Sequence, residues 1–272
     1  MNKRIFAKLA GFSLLFIAAA LGPRACPAQS SGYGEVSRIF YQANSAYKEG
    51  NFEAAITDFE LICAMGLAGG NLNYNLGNCY FKKGELGMAV FNYELALFFS
   101  PSDSDLRSNY KYAISKLNLG PQLFGNGFQR LAARLFDGET IGFLAILLSA
   151  IYIIAVVILI CGLFIAKISK MAKILLPALA VLFILSAAAL GGKIDNFNKG
   201  GVVIAGETEV KFEPLEQGTT YFKLGAGSKV ELVEKAQDFC KIKRPDNKVG
   251  WVRNTDVAFF SETQNEVKPL ER

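Results

Sequence analysis

Two apolar runs without a charge, residues 141–166 and 174–192, constrain this chain more than any other feature of its 272 residues. A helix needs about 20 apolar residues to cross the hydrocarbon core of a bilayer. The first run has 26 residues and spans with tilt; the second has 19 and is near the minimum. Pro177 falls in the first turn of the second run, where a missing N–H costs least. The connection, 167–173, carries Lys167, Lys170 and Lys173 and no acid. Lysines in short loops stay in the cytoplasm. The expectation is a two-helix hairpin with transmembrane helices at 141–166 and 174–192, a cytoplasmic loop at 167–173, and both flanks on the other side. Buried helices of soluble proteins rarely run this long without a charge.

Composition agrees with a membrane chain that also carries soluble parts: 51% of residues are hydrophobic and the mean hydropathy is +0.27. The net charge is +5. Lys3, Arg4, Lys8 and the three hairpin lysines carry that excess, so the rest is close to neutral and holds no basic patch for nucleic acid. Histidine is absent, which excludes chemistry that needs imidazole. No metal-ligand cluster, phosphate loop or nucleophile motif stands out, so neither an enzyme nor a metal or cofactor site is expected.

The N-terminus has the layout of a secretory signal peptide over 1–28. Lys3, Arg4 and Lys8 precede an apolar run at 9–21, and Gly22, Pro23, Ala25, Pro27 and Ala28 follow. Cleavage after Ala28 is expected. The alternatives are lipidation of Cys26, which Pro23 three residues earlier disfavours, and an uncleaved anchor. A signal peptide sends the next domain outward, in agreement with the hairpin lysines.

Residues 35–118 read as helices that repeat. Gly50-Asn51-Phe52-Glu53-Ala54-Ala55-Ile56 aligns with Gly84-Glu85-Leu86-Gly87-Met88-Ala89-Val90, an offset of 34, and the match extends to Phe59 with Tyr93, Tyr47 with Phe81, and Asn44 with Asn78. A 34-residue helix–turn–helix period resembles the tetratricopeptide repeat, with repeats at 36–69 and 70–103. Small residues Ala43/Gly77 and Ala55/Ala89 let paired helices approach, and Gly50 and Gly84 suit the turns. A further helix around 103–116, with Leu106, Tyr110, Ala113, Ile114 and Leu117 on one face, caps the stack.

Such stacks make a concave groove along the first helix of each repeat. The resemblance places Phe40, Asn44, Tyr47 and Lys48 there from the first repeat, and Tyr74, Asn75, Asn78, Phe81 and Lys82 from the second. Asparagine amides grip an extended peptide backbone while aromatic rings take its side chains. Some tetratricopeptide domains clamp a C-terminal carboxylate with two asparagines and three basic residues. Asn44 and Asn75 fall on the asparagine positions, but Phe40, Asp105 and Asn109 occupy the basic ones, so that clamp is incomplete.

Cys63 and Cys79 fall on neighbouring helices, either as a disulfide or as two small buried hydrophobes. No CxxC supports a redox motif. A connector at 119–140 places Phe124, Phe128, Leu131, Leu135 and Phe136 at helical spacing against Gln129, Arg130 and Arg134. It reads either as an interfacial helix on the outer leaflet or as a packed connector.

After a polar linker at 193–200 the periodicity changes. Short strands are expected at 202–204, 209–212, 221–224, 229–233, 239–243 and 250–252, separated by turn residues. Strands at this spacing over 199–260 suggest a small all-β barrel. The order resembles the bacterial SH3-like domain, through Val202-Val203, Glu209-Val210-Lys211, Gly227-Ser228-Lys229-Val230, Phe239-Cys240-Lys241-Ile242 and Gly250-Trp251-Val252 before Asp256-Val257. Lys211-Phe212-Glu213-Pro214 departs from that family's Arg-Ser-Gly-Pro. Trp251, the only tryptophan, is expected in the core or at the rim, with a ligand surface as the alternative. The tail, 261–272, is polar and reads as disordered.

The fold class is thus multidomain α + β: a tetratricopeptide stack, a transmembrane hairpin and an SH3-like barrel. In this order the parts resemble the aerotolerance-operon (Bat-type) tetratricopeptide proteins of bacteria. The resemblance implies a scaffold or adaptor in the inner membrane with both soluble domains in the periplasm. It implies partners among von Willebrand A-domain membrane proteins beside a MoxR-type ATPase, in a role linked to aerotolerance or stress. The alternative is a cell-envelope protein that binds peptidoglycan through the SH3-like domain.

Overall fold

The structure, a computed structural model, describes residues 30–67, 69–120 and 122–262. The expected signal peptide and residues 263–272 of the expected tail lie outside the described residues. The chain divides into two compact units, 1–38 and 39–272. Of the first unit only residues 30–38 are described, as the opening of helix α1 (Ser30–Lys48).

The second unit continues α1 into α2 (Phe52–Ala64), α3 (Gly70–Lys83), α4 (Leu86–Phe99) and α5 (Ser104–Lys116). The turns between α1 and α2 and between α3 and α4 fall at Gly50 and Gly84. Their φ values, 81° and 88°, are open to glycine at little cost. Residues matched by the 34-residue offset have matched fates. Ala43 and Gly77, Ala55 and Ala89, and Phe59 and Tyr93 are all buried between helices. Asn51 caps α2, accepting from the Ala54 amide at 3.2 Å. Asp103 caps α5, accepting from the amides of Asp105 and Leu106 at 3.0 Å. Helix α5 buries only Leu106 and Ala113, which suits a last helix with one face in water.

A short helix, α6 (Gly127–Leu135), leads to α7 (Ile141–Phe164) and α8 (Ala166–Lys199). Both α7 and α8 are long and apolar enough to cross a membrane. At 1.5 Å per residue the 24 residues of α7 reach roughly 36 Å, beyond a hydrocarbon core of about 30 Å. Leu144, near the start of α7, packs with Ala189, near the end of α8, so the pair is antiparallel. Three expectations are corrected here. The connection at 167–173 is helical, leaving only Ile165 between the helices. The polar linker at 193–200 forms the last turns of α8, as far as Lys199. Pro177 therefore lies inside a helix rather than in its first turn, and the Lys173 carbonyl lacks an amide partner from residue 177.

Seven strands follow: β1 (Gly200–Val203), β2 (Glu207–Lys211), β3 (Thr220–Gly225), β4 (Lys229–Lys235), β5 (Phe239–Lys243), β6 (Val249–Arg253) and β7 (Val257–Phe259). They form one antiparallel sheet in the order β3-β2-β6-β5-β4-β1-β7. The sheet is open, with β3 and β7 as unpaired edges, which corrects the expected barrel. Even so, side chains from all seven strands meet in one core, among them Val203, Val210, Leu224, Val230, Ile242, Val252 and Phe259. The sheet curls around this core without closing its hydrogen-bond ladder. Strand β7 adds one strand to those expected, after a 3₁₀ turn at Asn254–Asp256. Glu262, within the expected tail, pairs with Lys235.

The sheet docks on α4. Gly87 lies against the backbone of Ile204, where an added Cβ would come within 2.6 Å of the carbonyl oxygen. One helical turn later Phe91 stacks on Phe260 with centroids 5.5 Å apart. Glu94, another turn on, pairs with Lys229 of β4 at 2.5 Å, both side chains largely buried. Tyr110 hydrogen-bonds into this pair. Gln122 closes the side: its Oε1 accepts from the Lys229 amide at 2.5 Å and its Nε2 donates to the Gly227 carbonyl at 3.4 Å. The helices are also tied to the base of the hairpin. Phe98 stacks on Phe197 at 4.2 Å, and Arg107 pairs with Asp137 at 2.7 Å.

Burial alone would lower the pKa of Lys229, but Glu94 and Tyr110 together outweigh it and hold the ammonium above its ordinary value of 10.5. A raised lysine stabilises the folded state below that ordinary value and loses the contribution only as pH rises through the higher folded one. Docking should therefore not weaken through Lys229 between pH 7 and 9. Removing one partner of a buried pair leaves the other charge stranded, at about 3–5 kcal/mol. Lys229→Met should weaken hydrogen-exchange protection of α4 and β1 in the detergent-solubilised full chain by that amount. Adding Glu94→Leu should restore most of it. Unchanged protection in the single variant would contradict the docking described.

Candidate functional site

The first helix of each helical pair, α1 and α3, faces the same side as α5, and a cleft of about 370 Å³ opens there. It is lined by Tyr47 from α1, by Tyr74, Asn78, Phe81 and Lys82 from α3, and by Asn109 and Tyr112 from α5. Tyr93 of α4 forms the floor. It can reach that position because Gly77 carries no side chain: an added Cβ would meet the Tyr93 ring at 2.6 Å.

A hydrogen-bond network fixes the floor. Tyr93 donates its hydroxyl to Asn78 Oδ1 at 2.8 Å. Asn109 Nδ2 donates to the same oxygen at 3.0 Å and to the Tyr74 hydroxyl at 2.9 Å. Asn78 Oδ1 thus accepts twice and is satisfied, while its Nδ2 group has no partner among the described residues. The Lys82 ammonium likewise has no ion pair there. With the hydroxyls of Tyr47, Tyr74 and Tyr112, the cleft is rich in donors and suits a ligand that offers acceptors. Burial, with Cys79 and Tyr74 nearby, raises the pKa of Tyr47. Burial also raises that of Tyr93, and these hydroxyls remain donors at neutral pH.

Aromatic faces complete the cleft. Phe81 and Tyr112 sit with centroids 5.5 Å apart, Tyr74 and Tyr93 6.2 Å apart, and Tyr47 is braced edge-on by Phe52 at 5.5 Å.

Five of the nine groove residues expected from sequence therefore converge: Tyr47, Tyr74, Asn78, Phe81 and Lys82. The other four lie outside the cleft. Phe40 packs edge-on against Phe59 at 5.6 Å. Asn44 donates its Nδ2 to the Phe40 carbonyl within its own helix at 2.7 Å. Lys48 is exposed, and Asn75 is half-buried on α3. Tyr93 and Tyr112 are new to the groove, and Asn109, which the resemblance sets at a clamp position without a basic residue, joins them. One further step of 34 would have pointed to two of them, since it carries Asn75 to Asn109 and Asn78 to Tyr112. The same step carries Lys48 to Lys82 and then to Lys116, of which Lys82 lines the cleft. Lys116 Nζ lies 5.3 Å from the centre of the Tyr112 ring.

Other features carry less chemistry. Cys63 and Cys79 are free thiols. Burial pushes both up to about 11, which leaves them protonated packing groups at neutral pH. Among the described residues no three His, Cys, Asp or Glu side chains gather as a metal site would require. Trp251 lies half-buried on the outer face of β6, while its neighbours Gly250 and Val252 are buried. Its cross-strand partners are Lys211 and Lys241, and Lys241 Nζ is 5.5 Å from the ring centre. A second cavity, of about 540 Å³, lies between the helices and strand β7, walled by Phe91, Phe99, Phe197 and Phe259.

No family model matches this chain, and no curated protein matches it.

Proposed function

We propose that the protein is a membrane-anchored adaptor, not a catalyst, that holds an extended segment of a partner protein in the cleft between α1, α3 and α5. In this reading α1–α4 are two tetratricopeptide repeats capped by α5, and the sheet is an SH3-like module. Helices α7 and α8 span the bacterial inner membrane, with the lysines at 167, 170 and 173 on the cytoplasmic side and both soluble modules in the periplasm. The resemblance to the aerotolerance-operon proteins makes von Willebrand A-domain membrane proteins the partners of choice, in a system linked to stress.

The observation that carries the proposal is the surplus of donors among aromatic walls. The Asn78 amide can meet a backbone carbonyl, Lys82 a carbonyl or carboxylate, and the rings of Phe81 and Tyr112 an apolar side chain. The cleft lining includes no Asp, Glu or His.

Asn78→Asp tests the donor argument with little disturbance. It keeps the oxygen that accepts from Tyr93 and Asn109, removes the free N–H donors and adds a charge that repels acceptors. Partner capture should weaken about tenfold, roughly 1.4 kcal/mol. Phe81→Ala should cost at least about 1 kcal/mol as an aromatic anchor, whereas Asn44→Ala, outside the cleft, should change little. The readout is photo-crosslinking in cells from position 112, with adducts identified by mass spectrometry. Unchanged capture by Asn78→Asp and Phe81→Ala would contradict the proposal. Adducts confined to a probe at Trp251, and made with wall fragments, would replace it with peptidoglycan binding.

A further inference from the structure

Helix α6 is held in place by more than a connector needs. Asn126 Oδ1 accepts from the Gln129 amide, and Gln129 Oε1 accepts from the Asn126 amide, each at 2.9 Å, a reciprocal capping box on a nine-residue helix. One flank is fixed by Ala132, fully buried against Leu144 of α7 and Ala189 of α8. The adjoining face is apolar and open: Phe128, Leu131 and Leu135 are 45%, 51% and 58% exposed, and Leu123, just before the helix, is 42% exposed. Arg130 and Arg134 lie on the far flank, beyond the apolar face. No described residue covers the apolar face.

The anchoring contact fixes the level of α6 along the hairpin. Leu144 is three residues inside the start of α7, and Ala189 three residues inside the end of the apolar run at 192. At 1.5 Å per residue both lie roughly 4.5 Å within the apolar band. A helix docked there sits at the boundary between acyl chains and headgroups, the depth at which interfacial helices bury about 5–10 Å. On α7, Phe143 and Ile146 are exposed apolar residues as well. In water a stripe of this kind beside two bare apolar helices would promote aggregation.

We infer that α6 is a membrane-interface helix. Phe128, Leu131 and Leu135 enter the acyl boundary of the leaflet on the soluble modules' side, and Arg130 and Arg134 take phosphates of anionic phospholipids. Each cation near such a surface is favoured by the negative potential of the lipid. Arg130 Nε donates to the Gly125 carbonyl at 2.9 Å, which leaves its terminal nitrogens for phosphate. The inference rests on the reading that α7 and α8 span the bilayer. It turns the connector into a strut that sets the height of the helical module above the membrane through Arg107 and Asp137.

The test uses tryptophan fluorescence of the full chain in vesicles, in a Trp251→Phe background, since Trp251 is the only native tryptophan. Three variants are compared: Phe128→Trp, Leu131→Trp and, as a control inside α7, Tyr152→Trp. The vesicles contain phosphatidylcholine brominated either near the headgroup or near the chain end, with or without phosphatidylglycerol. Residues 128 and 131 should lose emission most with bromine near the headgroup, and 152 most with bromine near the chain end. Arg130→Gln with Arg134→Gln should abolish any gain in quenching that phosphatidylglycerol gives at 128. If 152 is quenched while 128 and 131 are not, the interfacial helix is wrong and the spanning reading stands. Shielding of 128 and 131 from both lipid bromine and aqueous acrylamide would assign the face to a protein and overturn the inference. If 152 is not quenched, the spanning reading fails and the inference with it.

Discussion

The hairpin of α7 and α8 is the constraint on which the rest depends. A helix of 24 residues without a charge has no favourable exposure to water. Its antiparallel partner returns the chain to the level it left, where the Lys193 ammonium donates to the Glu139 carbonyl at 2.8 Å. Segments that would otherwise be about 60 residues apart along the chain are thereby brought within reach, which reduces the entropic cost of docking. Contacts at the hairpin base, Phe98 on Phe197 and Arg107 with Asp137, extend that restriction into the helical module.

Helix α4 then joins the two soluble parts. One of its sides carries Tyr93, the floor of the cleft, and another carries Gly87, Phe91 and Glu94, the seat of the sheet. The cleft and the sheet are therefore two faces of one helix. The charge pair on this helix is specific rather than strongly stabilising: a buried ion pair often does no better than apolar residues of the same shape, but it penalises wrong pairings. Gly87 adds a steric condition, since any side chain there would collide with the Ile204 backbone.

Much of this was legible in the sequence, for definite physical reasons. A period of 34 repeats the packing requirement as well as the letters, so Ala55 and Ala89, or Phe59 and Tyr93, are buried alike. Uncharged runs announce α7 and α8, and alternation announces β4. Helix ends were less legible. Lys167–Lys173 read as a loop by charge, yet lysine is a good helix former and nothing in the segment stops a helix. Closure of the sheet was not legible either, because strand spacing is the same in a barrel and in a curled open sheet. In the cleft, Tyr112 escapes notice because α5 reads as a cap rather than as a third step of the period, whereas Asn109 is legible as a clamp position but not as a donor to Asn78 and Tyr74. The docking surface left no local signal: Glu94 and Lys229 are far apart in sequence, and a lone glutamate on a helix reads as a solvated face.

The central claim is that both soluble modules stand on one side of the membrane, docked, with the hairpin tip on the other. Single cysteines at Gly120, Asp246 and Ile168, in a background without the native cysteines, can be tested with a membrane-impermeant maleimide in intact spheroplasts. The account predicts labelling at 120 and 246 without permeabilisation, and at 168 only after it. Labelling of 120 and 246 from opposite sides would contradict it, because the Glu94–Lys229 pair could not then form.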